Sequence, residues 1–590
     1  MQSAEISLNL DNLDAAQKSA VLSDSTRLCI VAPAGSGKTR VMVKRIEHLC
    51  KTNKCLPNQV VAITFTRKAG FELAHRLAKS FTIETRERPF VGTLHSFALS
   101  ELSKYHDENN SKMDSILEDP TALLKSLKVG NPTKALRAIS WCKTRLMRPA
   151  DINEETIRTI KRCTHMSTSS FDANTFRSIY EQYQQECKKR RLMDHDEVLL
   201  RYHQKLQDSG YAQTRRYIYR HIFVDEFQDT TPLHMEIFRS LVGENGAISV
   251  VGDPDQSIFS FAGASDIYLN NFQDFFPGAQ TVFLNTNYRS TRANVEVARS
   301  VLLGSENPET IKAPKSSTAL PKIHVFSDEQ SESEGVVEII STAHARGIPL
   351  REIAVLVRTN AQKDIIVQAA KRLGLPLNRG RQIISDPVAN EVWKTIVSLR
   401  KKRRWKSIYD ALDDIDGAQT ITGELDSEHK DLFSKLRRSA REYMELFPND
   451  RHGDVSGFFE YIEFSLTANS DSAKGFSLLT FHQAKGLEFD TVIVCGFEKG
   501  LVPLYNDKIR KAEEARLAYV AMSRAINELY ITRACVRMRH GNPIVTQPSD
   551  FLKPIQENIT QIDIRNDIFT PQEAIKRIAD IRAKYLIKKL

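Results

Sequence analysis

The sequence predicts an α/β fold divided over several domains. Three observations carry that expectation. The apolar run Leu28-Cys29-Ile30-Val31 leads into the small-residue loop Ala32-Pro33-Ala34-Gly35-Ser36-Gly37-Lys38-Thr39, which opens a helical pattern with Val41, Ile46 and Leu49 apolar. Further apolar runs at 60–66, 222–224, 247–251, 282–284 and 353–358 read as strands, each followed by the polar residues that open α/β sheets place at their ligand-binding edge. At 590 residues the chain exceeds one core, and domains of ~100–200 residues imply roughly three to five.

Composition narrows the class. With 41% hydrophobic and 26% charged residues, the chain is neither disordered nor fibrous. No apolar run approaches the ~18 residues of a membrane helix, so no integral membrane segment is expected. A net charge of +10 and a pI near 9.0 favour a polyanionic partner or an anionic membrane surface. Eight cysteines without a Cys-x-x-Cys pair predict reduced, mostly buried thiols and no zinc or iron–sulfur site. Near the N-terminus, Glu5, Asp11 and Asp14 precede the first basic residue, Lys18, which fits neither a secretory signal nor an Arg-rich transit peptide.

The loop at 32–39 is the strongest chemical signal. Gly35 and Gly37 let the backbone N–H groups wrap a phosphate, and the following helix N-terminus adds a positive dipole. Lys38 would reach the β- and γ-phosphates and the Thr39 hydroxyl would ligate Mg²⁺, although Ala32 stands where the generic pattern has Gly. A plain glycine-rich turn is the weaker reading beside that Lys-Thr pair. Upstream, Asp14 reads as an N-cap, and Gln17 on its helix could pair with the N6/N7 edge of adenine. Downstream, 64–68 places Phe65 and two cations at a strand end, and 91–97 reads as a strand-like piece carrying His95, alone equally a turn histidine. Residues 98–212 are helical, polar and basic, an inserted helical subdomain whose run Lys188-Lys189-Arg190-Arg191 reads best as a solvated helix face.

The strand at 222–224 ends in Asp225-Glu226, one carboxylate for Mg²⁺ and one to orient or deprotonate the attacking water. Gln256, after the strand at 247–251, could sense the γ-phosphate; Phe259 and Phe261 follow it and would alone read as core. Arg289 is placed to meet transition-state charge, though by itself it reads as a surface arginine.

Together the series APAGSGKT, AITFTRKAG, GTLHSF, VDEFQDT, VGDPDQSIFSFAGA and LNTNYRS, continued by LLTFHQAKGLEFDTVIV at 478–494 and EEARLAYVAMSRA at 513–525, resembles the superfamily 1A DNA helicases of the UvrD/Rep type. The resemblance implies two RecA-like P-loop motor domains with ATP between them, each with an inserted, mainly helical subdomain. It implies 3′–5′ translocation on single-stranded DNA, with unwinding of duplex or displacement of bound protein, in DNA repair or replication. ATP and Mg²⁺ are the implied cofactors; single-stranded DNA and single-strand/duplex junctions are the implied partners. Carried onto this chain, Gln17 reads adenine, Tyr288 stacks on it and Arg40 lies nearby. Ala34, Gly35, Ser36, Gly37, Lys38 and Thr39 hold the phosphates, Thr39 and Asp225 hold Mg²⁺, and Glu226 is the base. Gln256 couples the γ-phosphate to DNA, Arg289 and Arg524 are arginine fingers, and Glu488 lies near ribose and phosphates. The implied DNA contacts are Phe65, Thr93, His95, Phe259, Phe261, Arg358, Asn360 and His482, where aromatic faces stack on any base. Two departures stand out: Ala262 replaces the family's usual Arg before Gly-Ala, and Phe259 and Phe261 replace its frequent Tyr and Trp.

On this pattern the first motor domain spans 1–97 and 213–290 around the insertion 98–212. The second spans 291–380 and 475–550 around a shortened insertion at 381–474. That insertion lacks a Gly-Ile-Gly turn, the closest stretch being Thr420-Ile421-Thr422-Gly423. Its basic run at 400–406, interleaved with Trp405, reads equally as a nucleic-acid contact or a solvated helix end. In the extension 551–590, Thr570-Pro571-Gln572-Glu573 is a capping box opening a helix with Ile575, Ile578, Ala579, Tyr585 and Leu586 on one face and Lys576, Arg577, Lys584 and Lys588 towards the other. Such a tail resembles the import signal of a fungal mitochondrial branch of the family; a docking helix or basic DNA arm, with a nuclear or bacterial cytoplasmic address, is the alternative. A non-hydrolysing scaffold and an RNA motor are the competing functions. The intact Lys38, Asp225, Glu226, Gln256, Arg289 and Arg524 argue against the scaffold.

Overall fold

The computed structural model describes residues 10–80, 88–117, 119–164, 171–302, 311–316, 320–378, 475–505, 508–539, 541–558 and 563–566, with short pieces at 438–439, 441–447, 457–458 and 460–461. The stretches 400–406, 420–423 and 570–590 singled out above lie outside the described residues. The chain forms two compact units, one of residues 1–32, 38–284 and 391–465, the other of 33–37, 285–390 and 466–590.

The first unit contains β1 (Arg27–Val31), β2 (Val60–Thr64), β3 (Phe90–Thr93), β4 (Ser115–Ile116), β5 (Leu192–Met193), β6 (His221–Val224), β7 (Ala247–Gly252) and β8 (Gln280–Phe283). Six of these form one parallel sheet in the order β3-β2-β6-β7-β1-β8, and β4 pairs with β5 separately. Helices cover both sheet faces, so β2 and β6 are buried along their whole length and read in the sequence as unbroken apolar runs.

The piece expected as a strand at 91–97 divides in two. Only Phe90–Thr93 is strand, and the helix Leu94–Glu108 follows at once. The Thr93 hydroxyl accepts from Ser96 N at 3.2 Å, an N-cap that starts the helix and leaves Leu94 and Phe97 one turn apart in the core. The boundary expected at 97/98 therefore falls inside a helix. The insertion is also not one body. Its middle has its own core around Leu124, Ile139, Trp141, Phe176 and Tyr183. Leu199, Tyr202 and Leu206, from the helix His195–Leu206, join the motor's core with Phe97 and Phe238. The basic run behaves as a solvated face: Arg190 pairs with Glu186 at 2.6 Å and Arg191 with Asp114 at 3.0 Å. Of the second insertion, Tyr443, Phe447 and Tyr461 pack on Phe71 of the helix Arg67–Ser80, with ring centres 6.4, 5.4 and 5.2 Å away.

The second unit contains β9 (Lys322–Asp328), β10 (Ile353–Val357), β11 (Leu377–Asn378), β12 (Phe476–Thr480), β13 (Phe489–Val494), β14 (Ala525–Arg539), β15 (Asn542–Val545) and β16 (Asp563–Asn566). Their order is β11-β12-β10-β13-β14-β9-β16, with β15 antiparallel on β14. β16, from the expected C-terminal extension, runs parallel to β9 and widens the sheet.

In the first unit, the helix Lys38–Lys51 is locked to the sheet by Arg45, which is fully buried. It donates to Ser249 Oγ at 2.9 Å and to the carbonyls of Ala20, Ser23 and Ser25 at 3.0, 2.9 and 2.9 Å. Burial depresses its pKa to about 10. Arg45→Met keeps the stem and removes every one of these donors. We expect it to lower unfolding free energy by about 2–4 kcal/mol, since each buried or partly buried acceptor that loses its partner costs ~1 kcal/mol. Urea denaturation checks this, and a loss below about 1 kcal/mol would show that the carbonyls find other donors.

Candidate nucleotide site and nucleic-acid track

Strands β6, β7 and β1 lie side by side and parallel, so the segments after them, 225–229, 253–257 and 32–39, emerge at one edge of the sheet. Ala32 N donates to Gly252 O at 2.8 Å, joining two of these exits. Gly35 and Gly37 have φ of 74° and 84°, left-handed values that admit glycine without strain and turn the loop into the helix beginning at Lys38.

Lys38 Nζ is buried, lies 4.0 Å from Asp253 Oδ2 and makes no hydrogen bond among the described residues. A buried ammonium without acceptors is costly, and a phosphate oxygen satisfies it. Lys38 thus fits a nucleoside triphosphate. The Thr39 hydroxyl and the buried Asp225 carboxylate are hard oxygen donors of the kind Mg²⁺ takes. Asp225 Oδ1 accepts from Glu226 N at 3.0 Å. Glu226 has φ 52°, a left-handed conformation that costs a non-glycine residue about 1–3 kcal/mol of strain.

A hydrogen-bond chain connects Glu226 to Gln256. Gln228, fully buried, donates its amide to Glu226 Oε2 and accepts from Asp253 N at 3.0 Å. Asp253 in turn accepts from Gln256 Nε2 at 2.6 Å and from Asp255 N at 3.1 Å. Gln228 and Asp253 were absent from the expected site residues. Both sit inside motifs already recognised, but their partners are 25 residues apart, and no local pattern shows that distance being closed. Gln17 is buried in a capping box, its Oε1 accepting from Asp14 N at 3.1 Å, which fixes the amide in place. Arg40 is exposed.

In the second unit the loop backbone 33–37 is clasped by Asn287, another unforeseen residue. Asn287 Nδ2 donates to Ala34 O at 2.9 Å, and its Oδ1 accepts from the N–H groups of Arg289 and Ser290 at 2.9 Å each. A Cβ on Gly35 would lie 2.6 Å from Asn287 Oδ1. Ser36 Oγ donates to Pro33 O at 2.8 Å. Tyr288 is half-exposed, and its N–H donates to Gly35 O at 2.9 Å. Arg289 Nε lies 2.6 Å from Glu488 Oε2, so both are already engaged with each other. Arg524 is buried and donates to Val520 O at 2.9 Å, Leu487 O at 3.2 Å and Ser523 Oγ at 2.8 Å.

The aromatic residues form a track. Phe65, 39% exposed, stacks on Phe259 with ring centres 5.3 Å apart, and Phe261 meets Phe259 edge-on at 5.9 Å. Phe259 and Phe261, which alone read as core, are only partly buried. A cavity of about 210 Å³ lies beneath, lined by Phe65, His95, Thr144, Glu226 and Phe259 among others. Asp196 also lines it, and burial, followed by neighbouring Asp194, raises its pKa to about 6. The His95 ring stands edge-on to His195 and His234 at 6.2 and 6.3 Å. The Thr93 side chain is occupied as an N-cap. Arg358 is held by the buried Glu514, its Nε 2.9 Å from Oε2. Asn360 is exposed and His482 half-buried.

Comparison with known proteins matches both halves. The UvrD/REP helicase N-terminal domain matches residues 13–277, and the UvrD-like helicase C-terminal domain matches residues 282–383 and 386–535. The chain is 28% identical to DNA helicase II of Escherichia coli, covering 96% of this chain and 91% of that protein. It is 26% identical to ATP-dependent DNA helicase PcrA of Staphylococcus aureus, covering 94% and 87% respectively.

Burial holds His95 near 3, with His234 adding to the effect, and burial alone holds His234 near 4. Burial, with a smaller push from Arg45, holds His221 near 3. The folded values lie below the ordinary 6.5, so the unfolded chain takes up these protons first. Stability is complete above pH 6.5 and falls as pH drops towards 4, by about 1.4 kcal/mol per pH unit for each histidine. Urea midpoints between pH 7 and 5 read the slope, and His234→Gln is expected to remove about one histidine's share. An unchanged slope in that variant would mean His234 is protonated in the folded chain.

Proposed function

Because the chain belongs to the UvrD/Rep family of superfamily 1 helicases, its two parallel-sheet units being RecA-like motor folds, we propose that it is an ATP-dependent DNA helicase that moves 3′–5′ on single-stranded DNA, unwinding duplex or displacing bound protein. The observation that carries this reading is the continuous chain Glu226–Gln228–Asp253–Gln256, with the unsatisfied Lys38 ammonium beside Asp253.

Lys38 binds the β- and γ-phosphates and gains the acceptors it lacks. Glu226 takes the proton of the attacking water, and Gln228 fixes the carboxylate's orientation through its amide. Gln256 reports the state of the γ-phosphate to the loop that carries Phe259 and Phe261 three and five residues on. Arg289 and Arg524 supply cationic charge for the transition state; within the second unit Arg289 is paired with Glu488 and Arg524 donates to backbone carbonyls. Mg²⁺, when bound through Thr39 and Asp225, would neutralise phosphate charge. Single-stranded DNA lies on the aromatic track, which stacks on bases without reading sequence.

Steady-state ATP hydrolysis at low salt, with no polymer, poly-dT, poly-rU or blunt duplex, tests the reading. Strong stimulation by poly-dT is expected, with turnover reduced by about 100-fold or more in Lys38→Ala and Glu226→Gln. Strand displacement confined to substrates with a 3′ tail would establish the polarity. Tight DNA binding with no hydrolysis under any condition would leave a scaffold, and preference for poly-rU would make it an RNA motor.

A further inference from the structure

The loop 259–264 is a compact knot of its own hydrogen bonds. Ala262 N and Ala264 N donate to Phe259 O at 2.9 and 3.2 Å, and Gly263 N donates to Ser260 O at 3.0 Å. Whatever grips Gly263 therefore fixes both phenylalanines. The grip comes from the inserted subdomain. Just beyond the helix Pro132–Lys143, the Thr144 carbonyl accepts from Leu233 N at 3.0 Å, which anchors the turn to the motor. The next residue, Arg145, lays its guanidinium over the Trp141 ring, 3.9 Å from the ring centre. Its other side lies against Gly263. A Cβ there would stand 2.8 Å from Arg145 Nη1 and 2.6 Å from Thr144 Oγ1, at a φ of 100° that already favours glycine.

Arg145 Nη1 is buried and makes no hydrogen bond among the described residues, and burial lowers the pKa of the group. With no acceptor for Nη1 among the described residues, that side of the group is held by the indole face and by the shape of the glycine turn. Residues 240–288 contain neither lysine nor arginine, so the cation that lies against Gly263, Arg145, comes from outside this stretch, in the insertion.

We propose that Arg145 is a positioning residue for single-stranded DNA, clamped between Trp141 and Gly263 so that Phe259 and Phe261 are held ready to stack on bases. This rests on the reading that the aromatic track binds single-stranded DNA. Arg145 acts through the loop and makes no phosphate contact of its own.

Binding of a fluorescently labelled oligo-dT by the full chain, without nucleotide, is followed by anisotropy over a range of salt concentrations. Arg145→Met keeps the stem and removes the cation. It is expected to weaken binding by about tenfold, the scale of one lost base stack, with the slope of log affinity against log salt as in the unchanged protein. Arg145→Lys, which keeps a cation over Trp141, is expected to recover most of the loss. Equal affinity in Arg145→Met and the unchanged chain would overturn the proposal. A slope shallower by about one ion would also overturn it, by showing a direct phosphate contact. If Arg145→Met does not fold, Arg145→Lys decides against Arg145→Gln under the same assay, Lys binding tighter if the proposal holds and equally if it does not. An unchanged chain that fails to bind oligo-dT overturns the helicase reading itself, a result separate from either variant's.

Discussion

Asp253 is the point on which the hydrogen-bond network at the first unit's strand exits depends. Its side chain is fully buried, and a buried polar group is tolerated only with hydrogen-bond partners. It has Gln256 Nε2, the Asp255 N–H and, at longer range, the Lys38 ammonium. Its own N–H is taken by Gln228, which reaches back to Glu226. One residue therefore joins the exits of β6, β7 and β1, which the parallel strand order places next to each other. The 4.0 Å separation from Lys38 matters. It is close enough for attraction in a low-dielectric setting and too long for a hydrogen bond, so a phosphate can claim the ammonium without first breaking a strong bond.

The strands were legible because buried parallel strands carry apolar residues on both faces, as Leu28–Val31 and Val60–Ile63 do. The loop glycines were legible because only glycine enters the left-handed turn cheaply, and Gly35 and Gly37 both do so. The strand expected through Phe97 was misread for an identifiable reason. Apolar residues at 91, 94 and 97 have the three-residue spacing of a helix, and the Thr93 cap starts that helix after the fourth strand residue. Contacts closed over long sequence distances were not legible at all. Asn287 clasps Ala34, 253 residues away, and Arg358, expected on DNA, spends its guanidinium on Glu514, 156 residues away. Nothing in either local sequence announces the partner.

The insertion illustrates the same limit in its boundaries. A change of composition marks where a helical segment begins, but cannot show which helices share a core. His195–Leu206 belongs by packing to the motor and by sequence to the insertion. The join is electrostatic. Asp194 is the N-cap of that helix, accepting from Glu197 N at 2.8 Å. It also accepts from Lys143 at 2.9 Å, at the end of one insertion helix, and from Tyr183 OH at 2.7 Å on another. Burial pushes its pKa up, and Lys143 outweighs this and brings the group below its ordinary range.

Removing either member of such a pair typically costs about 3–5 kcal/mol, because the other is left as an uncompensated buried charge. That makes the Lys143–Asp194 contact a rigid weld, unlike the exposed pairs of the helix Ala173–Lys189, whose contribution water and salt reduce. The weld sits beside residues that line the cavity at the exit of β6. Two residues past Asp194, Asp196 lines the cavity shared with Glu226, and one residue past Lys143, Thr144 lines the same space. Both ends of the weld therefore border the wall of that cavity.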